Sequence, residues 1–235
     1  MNRSIWGVVM ISANEEWKTV AAHFRQLEEH PSPLGKFLTC SIAGKPLIIF
    51  HGGWGKTAAA AATQYVIQRW QPRLLINLGT CGGFLGRIER GEIVLAEETW
   101  MYDIEERMSD GWEALEAYHV RLNLDWLVEP FPQPVHRAAL LSADRDLNPA
   151  EIQTLISKFN GIAGDWESGA IAWVAQRNQV PCLILRGVTD LVDSSDGEAY
   201  GRWEVFAQAT RTVMNALIEN LPGWLECCRL SSLEA

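Results

Sequence analysis

Short apolar runs rich in β-branched residues alternate with helix-like stretches along the whole of this chain, and that alternation narrows the folds open to it. Residues 5–12 read as a first strand, after which Asn14-Glu15-Glu16 opens a helix reaching to about residue 29. Segments 38–42 and 46–50 form a hairpin turning at Ala43-Gly44-Lys45. Gly52-Gly53-Trp54-Gly55-Lys56 reads as a glycine turn feeding an alanine-rich helix over 57–70. Further strands are expected at 74–78, 93–96, 139–142 and 180–185, with helices at 149–159, behind Glu167, and over 203–221. Between 103 and 136 the chain is polar and its elements are weakly marked; the tail 231–235 reads as frayed. Repeats and linkers are absent, so residues 1–235 are expected to form a single domain. The expected architecture is α/β, a three-layer α/β/α sandwich around a central mixed, largely parallel twisted sheet.

A formal charge of −9 and a pI near 5.1 weigh against a nucleic-acid partner, which would call for a basic face. No apolar run reaches the roughly 18 residues that a bilayer span needs. The first apolar run is short and soon followed by acidic residues, unlike a signal peptide, so a cytoplasmic protein without a membrane partner is expected. The five cysteines (Cys40, Cys81, Cys182, Cys227, Cys228) show no Cys-x-x-Cys spacing, and the five histidines show no ligand spacing. Reduced thiols, no metal and no cofactor are therefore expected. Cys81, within a glycine cluster, is the one thiol placed where it could react, although an inert thiol is the simpler reading.

Three carboxylates stand where buried strands end. Asp190 closes Arg186-Gly187-Val188-Thr189-Asp190 after the apolar run 180–185, Glu167 lies in Asp165-Trp166-Glu167-Ser168, and Glu16 follows the first strand. Open α/β sheets bind ligands at the carboxyl ends of their strands. A carboxylate there costs free energy unless it is paired, hydrated or used. The bland alternative for Glu15 and Glu16 is a simple complement to the helix dipole. Grouped at one crevice, the three carboxylates would push one another's pKa values apart, which suits acid–base chemistry. The cluster Gly79-Thr80-Cys81-Gly82-Gly83 ends a buried strand, where open α/β sheets place their ligands, with a tight strand-to-helix turn as the bland alternative. Neither glycine cluster has the spacing of a triphosphate or dinucleotide loop.

Taken together, Ser12-Ala13-Asn14-Glu15-Glu16, Gly53-Trp54-Gly55-Lys56, Asn77 to Gly83, Asp165-Trp166-Glu167 and Arg186 to Asp190 resemble the nucleoside phosphorylase/nucleosidase superfamily. Within it the likeness is greatest to methylthioadenosine/S-adenosylhomocysteine nucleosidases, over roughly 5–220. The resemblance implies catalytic roles for Glu16 (base toward water), Glu167 (ribose hydroxyls) and Asp190 (acid toward purine N7). It implies substrate-binding roles for Thr80, Gly82, Trp166, Arg186, Thr189, Asp146 and Leu147. Cleaving an N-glycosidic bond needs a proton for the departing base, an anion near the developing ribosyl cation, and a positioned nucleophile. Phosphorylases of the superfamily carry an arginine where this chain has Asn77, and another where it has Asn14-Glu15-Glu16, so charge favours water over phosphate. In Ser142-Ala143-Asp144-Arg145-Asp146-Leu147, Asp146 occupies the place of the family's base-stacking phenylalanine. A phosphorylase and a silent nucleoside-binding protein stay open as alternatives. The resemblance further implies a homodimer, for which Trp54 and helix 57–70 would supply a face, and a small-molecule nucleoside partner. The region 103–136 is expected to help hold the nucleoside's 5′ substituent.

Overall fold

Strand β1 (Gly7–Ile11) shows how one sheet builds two cores: Val8 and Met10 pack into one cluster, Val9 and Ile11 into the other. Side chains alternate across a strand, so an apolar run buried on both faces must be covered on both. The computed structural model describes residues 5–230; the tail expected to fray lies outside the described residues. In chain order β1 is followed by α1 (Asn14–His23), β2 (His30–Ser32), β3 (Gly35–Ile42), β4 (Lys45–His51), α2 (Gly55–Trp70), β5 (Leu74–Phe84) and β6 (Ile93–Met101). Then come α3 (Trp112–Glu116), β7 (Val120–Arg121), β8 (His136–Ser142), a 3₁₀ turn at Pro149–Glu151, and α4 (Ile152–Phe159). The last elements are β9 (Gly161–Asp165), α5 (Ser168–Arg177), β10 (Cys182–Val192) and α6 (Trp203–Cys227).

The ten strands make one mixed sheet. Strand β1 lies parallel between β4 and β5, and β10 runs parallel to β5 along most of its length. Because β10 also pairs antiparallel with β6, strands β5, β9, β8, β6 and β10 form a closed circuit, from which β1, β4, β3 and β2 continue outward. Helices α2 and α5 cover one face, their contact made by small residues such as Ala59, Ala62, Ala170 and Ala172. Helices α1 and α6 cover the other, with Trp17, Val213, Leu217 and Trp224 buried against the sheet. The expected three layers are present.

Several boundaries differ from those read in sequence, each for a tertiary reason. Strand β1 starts at Gly7 rather than residue 5, and helix α1 stops at His23, short of residue 29. The chain needs the intervening residues to turn back into β2, which pairs with β3 through His30 and Phe37. Helix α6 runs past 221 to Cys227 although Pro222 lies inside it. An interior proline costs about 3 kcal/mol, and burying Trp224 and Leu225 offsets it at about 1.5–3 kcal/mol each. Strand β9 went unread because Gly161-Ile162-Ala163-Gly164 carries neither alternation nor a β-branched run. The largest revision concerns Gly79 to Gly83: they do not turn but continue β5 to Phe84, just as β10 continues through Asp190 to Val192. Their glycines serve close approach instead, as the site shows.

Candidate active site

Arg186 organises the site. Its side chain is 1% exposed, and its guanidinium meets three carboxylates: Asp165 at 2.9 Å, Glu16 at 3.6 Å and Glu167 at 3.6 Å. It also donates to Ser168 Oγ (2.9 Å), Asn77 Oδ1 (2.8 Å) and the Thr80 carbonyl (3.3 Å). Such a head can reach β5 only because Gly79 has no side chain: a Cβ there would lie 2.0 Å from Arg186 Nη1 and 2.7 Å from Glu16 Oε1. With six partners holding it, the guanidinium cannot swing aside. Gly79→Ala is expected to destabilise the fold by about 1–3 kcal/mol, as overpacked cores do, measurable as a fall in the urea midpoint at unchanged m-value.

Glu16 is held at the turn from β1 into α1. Its Oε2 accepts from the backbone N–H of Ala13 (3.0 Å) and Ser12 (3.3 Å), closing the first helical turn onto the strand end. Its Oε1 accepts from the Thr80 N–H (2.7 Å) and hydroxyl (3.0 Å). A carboxylate has about four lone-pair sites, and these donors fill them. The Thr80 hydroxyl is the only one of the four free to rotate, so it is the donor that an incoming water would replace. Glu15, by contrast, only pairs with Lys18, as a dipole complement would.

Glu167 leads into α5, and its Oε1 accepts from the N–H of Gly55 (3.1 Å) at the start of α2. Burial, opposed by Arg186 and reinforced by Asp165 and Glu16, pushes its pKa up to about 8. One guanidinium facing three buried carboxylates leaves a proton on the site at neutral pH. A carboxyl raised from 4.5 to about 8 on folding makes the native state hold a proton that the unfolded chain has lost. Stability from this group is therefore full below about pH 4.5 and is lost as pH rises through about 8. Glu167→Gln should flatten that slope, at most about 1.4 kcal/mol per pH unit, and be more stable than the parent above pH 8. Urea titrations at stepped pH would show it, and parallel slopes for both proteins would refute it.

Asp190 sits on β10 just past a bulge. Val188 faces Cys81 and Asp190 faces the next residue, Gly82, so Thr189 is the extra residue, and this re-aims Asp190. The Thr189 hydroxyl contacts Asp190 Oδ1 (2.7 Å) and the Cys81 carbonyl (3.2 Å). Asp190 Oδ2 lies over Gly82, which presents bare backbone there. Burial raises the Asp190 pKa, and the charges of Glu198 and Asp146 add to this against the Thr189 hydrogen bond. The side chain is thus biased toward the acid form, which a proton donor requires.

These groups border one cavity of about 600 Å³, lined among others by Ala13, Trp54, Thr80, Gly82, Trp166, Glu167, Thr189 and Asp190. Asp146 and Leu147 border it too, whereas Glu16 and Arg186 lie behind its wall. No residue of 103–136 lines the cavity, contrary to expectation; that stretch packs outside, with Tyr118 stacked on Trp173 of α5. Sequence reading passed over Tyr200, Trp203 and Phe206 as cavity residues, and over Asp165, Ser142 and Ser168 as partners of one another. Trp54, expected to supply a subunit face, also borders the cavity, paired with Trp166 at 6.3 Å. Lys56 pairs with Asp103 while its backbone N–H donates to Asp144 (2.6 Å), tying the Gly55 loop to the end of β8. Cys81 borders the cavity as a buried thiol whose pKa burial and Asp165 push well up, so the inert reading holds. No group of three or more His, Cys, Asp or Glu side chains arranged for a metal occurs among the described residues, and none of their helices is long and apolar enough to cross a membrane.

A mixed sheet under two helical layers, with a carboxylate site at its strand ends, defines a class that sequence comparison identifies directly. The profile of the Phosphorylase superfamily matches residues 7–221, and the chain belongs to that family. The 5′-methylthioadenosine/S-adenosylhomocysteine nucleosidase of Halalkalibacterium halodurans is 26% identical over 199 residues, spanning 80% of this chain and 86% of the relative. The nucleosidase of the same name from a Geobacillus strain is also 26% identical, over 82% of this chain and 89% of its own. Among solved structures, the Helicobacter pylori nucleosidase with butyl-thio-DADMe-Immucillin-A superposes with a TM-score of 0.77 at 16% identity, covering 93% of this chain and 99% of its own. The S. pneumoniae nucleosidase with the transition-state inhibitor MT-ImmA gives 0.76 at 19% identity, covering 94% and 98%.

Proposed function

We propose that this protein hydrolyses the N-glycosidic bond of a purine nucleoside of the methylthioadenosine or S-adenosylhomocysteine kind, releasing free base and a ribose product. The observation that carries this reading is Asp190, a carboxyl biased toward its acid form and aimed by a bulge into the same cavity that Glu167 borders. Asp190 protonates the leaving base at N7, Glu167 meets the ribose hydroxyls, and Glu16 takes a proton from water once the Thr80 hydroxyl has rotated away. Arg186 does not touch substrate in this scheme; it fixes the three carboxylates. The names of the relatives support the same substrate class.

Water rather than phosphate is the favoured nucleophile. Asn77 lies fully buried in the Arg186 network, its Nδ2 donating to the Met10 carbonyl (3.1 Å). Arg145, at the cavity wall, is paired with Glu151. Arg202 also borders the cavity, next to Trp203, and keeps phosphorolysis as the second reading. A panel of methylthioadenosine, S-adenosylhomocysteine, inosine and adenosine, with and without phosphate, separates these readings. Base release without phosphate supports hydrolysis; release only with phosphate overturns it; binding without release from any nucleoside points to a silent binder. The reading extends to a cytoplasmic homodimer, in line with the superfamily resemblance, and light scattering on the purified protein tests the assembly.

A further inference from the structure

A purine presents a flat π face that an aromatic wall can hold by stacking, and the loop that carries a ring in the resembling family offers Asp146 here. Five rings border the cavity: Trp54, Trp166, Tyr200, Trp203 and Phe206. Trp54 and Trp166 pair with each other beside Glu167 and Gly55, at the end where the sugar sits in the reading above, on which this inference rests. Trp203 and Phe206 pair with each other at 5.4 Å. Tyr200 has no ring partner among the described residues, and its hydroxyl bonds Leu147, whose side chain lies over Gly82 together with Asp190 Oδ2. Its ring thus borders the cavity on the Asp190 side, where the leaving base lies in the reading above.

The strap that presents it is well built. Val192 bridges to Gly197, the Glu198 N–H donates to the Leu191 carbonyl (3.0 Å), and the Asp193 carboxylate caps the N–H groups of Ser195 (2.6 Å) and Asp196 (3.0 Å). Gly197 lies directly against the Tyr200 ring: a Cβ there would be 2.6 Å from it. From the ring's far end the hydroxyl donates to the Leu147 carbonyl, joining the strap to the loop that carries Asp146. We propose that Tyr200 is a specificity-determining residue that supplies the aromatic wall of the base subsite, replacing from the 193–202 strap the ring absent at Asp146.

The test pairs purine binding with turnover, using the whole chain. Adenine binding is measured by titration calorimetry, and KM and kcat for base release from methylthioadenosine are measured in parallel. Tyr200→Ala is expected to weaken adenine binding and raise KM by about ten- to a hundredfold, the range that base–aromatic stacking spans, with kcat within about threefold. Tyr200→Phe keeps the ring and should recover most of that loss. Adding Asp146→Phe to Tyr200→Ala returns a ring from the other loop and should recover part of it. Where the alanine variant does not fold, Tyr200→Leu fills the space without a π face, and the same losses are expected. Unchanged adenine affinity and KM in Tyr200→Ala or Tyr200→Leu overturns the proposal, and so does a phenylalanine variant as weak as the alanine one. A parent protein that neither binds adenine nor releases it sinks the functional reading itself, a different outcome from parent and variant binding alike.

Discussion

Asp190→Asn should cut kcat for base release by about 10²–10⁴-fold, the range that a positioned general acid supplies, while nucleoside binding changes by only a few-fold. An asparagine amide fills the same volume and still donates a hydrogen bond to N7, but it cannot transfer a proton. The base would then depart as an anion. Burial and the neighbouring Glu198 and Asp146 charges bias Asp190 toward its acid form, and the bulge at Thr189 points it over Gly82 into the cavity. Chromatographic base-release rates beside calorimetric nucleoside titrations give the two numbers. Near-parental turnover with intact binding would remove Asp190 from the mechanism.

Arg186→Met should destabilise the protein by about 3–5 kcal/mol, the cost of breaking a buried ionic cluster by removing one partner. Methionine fills much of the stem's volume, so packing loss is the smaller part. What remains is Glu16, Asp165 and Glu167 facing one another without their shared cation. Without the cation, the folded pKa of Glu167 rises further above its unfolded value, so stability is lost as pH rises through the folded value. The deficit against the parent should be largest above pH 8 and should narrow toward pH 5. Urea unfolding of both proteins at pH 5.5 and 8.5 measures it, and an equal deficit at the two pH values would show that lost packing, not charge, is responsible.

The two effects differ in kind because the residues do different work. Asp190 borders the cavity, where the proposed reaction has it meet substrate; Arg186 lies behind it and holds the carboxylates. One guanidinium offsets only one of three carboxylates, so a bound proton reduces the excess negative charge of the cluster, and Glu167, its pKa pushed up to about 8, is the carboxyl that holds it.

The alternation of apolar runs and helical stretches was enough to read the layers, since burial on two faces writes a period into local sequence that neighbouring residues reveal. The motifs holding Glu16 and Asp190 were legible for a related reason: each follows a run read as a buried strand, where a carboxylate is costly unless used; Glu167 was legible only through its motif, since the strand before it is not marked in the sequence. The finer architecture was not local. Gly79 to Gly83 read as the end of a strand, because glycine's fitness for close approach depends on the Arg186 head that arrives from a strand more than a hundred residues away. The bulge at Thr189 exists only in the register between β10 and β5. Tyr200 became visible only when the strap folded back to Leu147. Composition and periodicity record which side chains must leave water; which of them then meet is decided by strand pairing across the chain, and only the tertiary structure contains that.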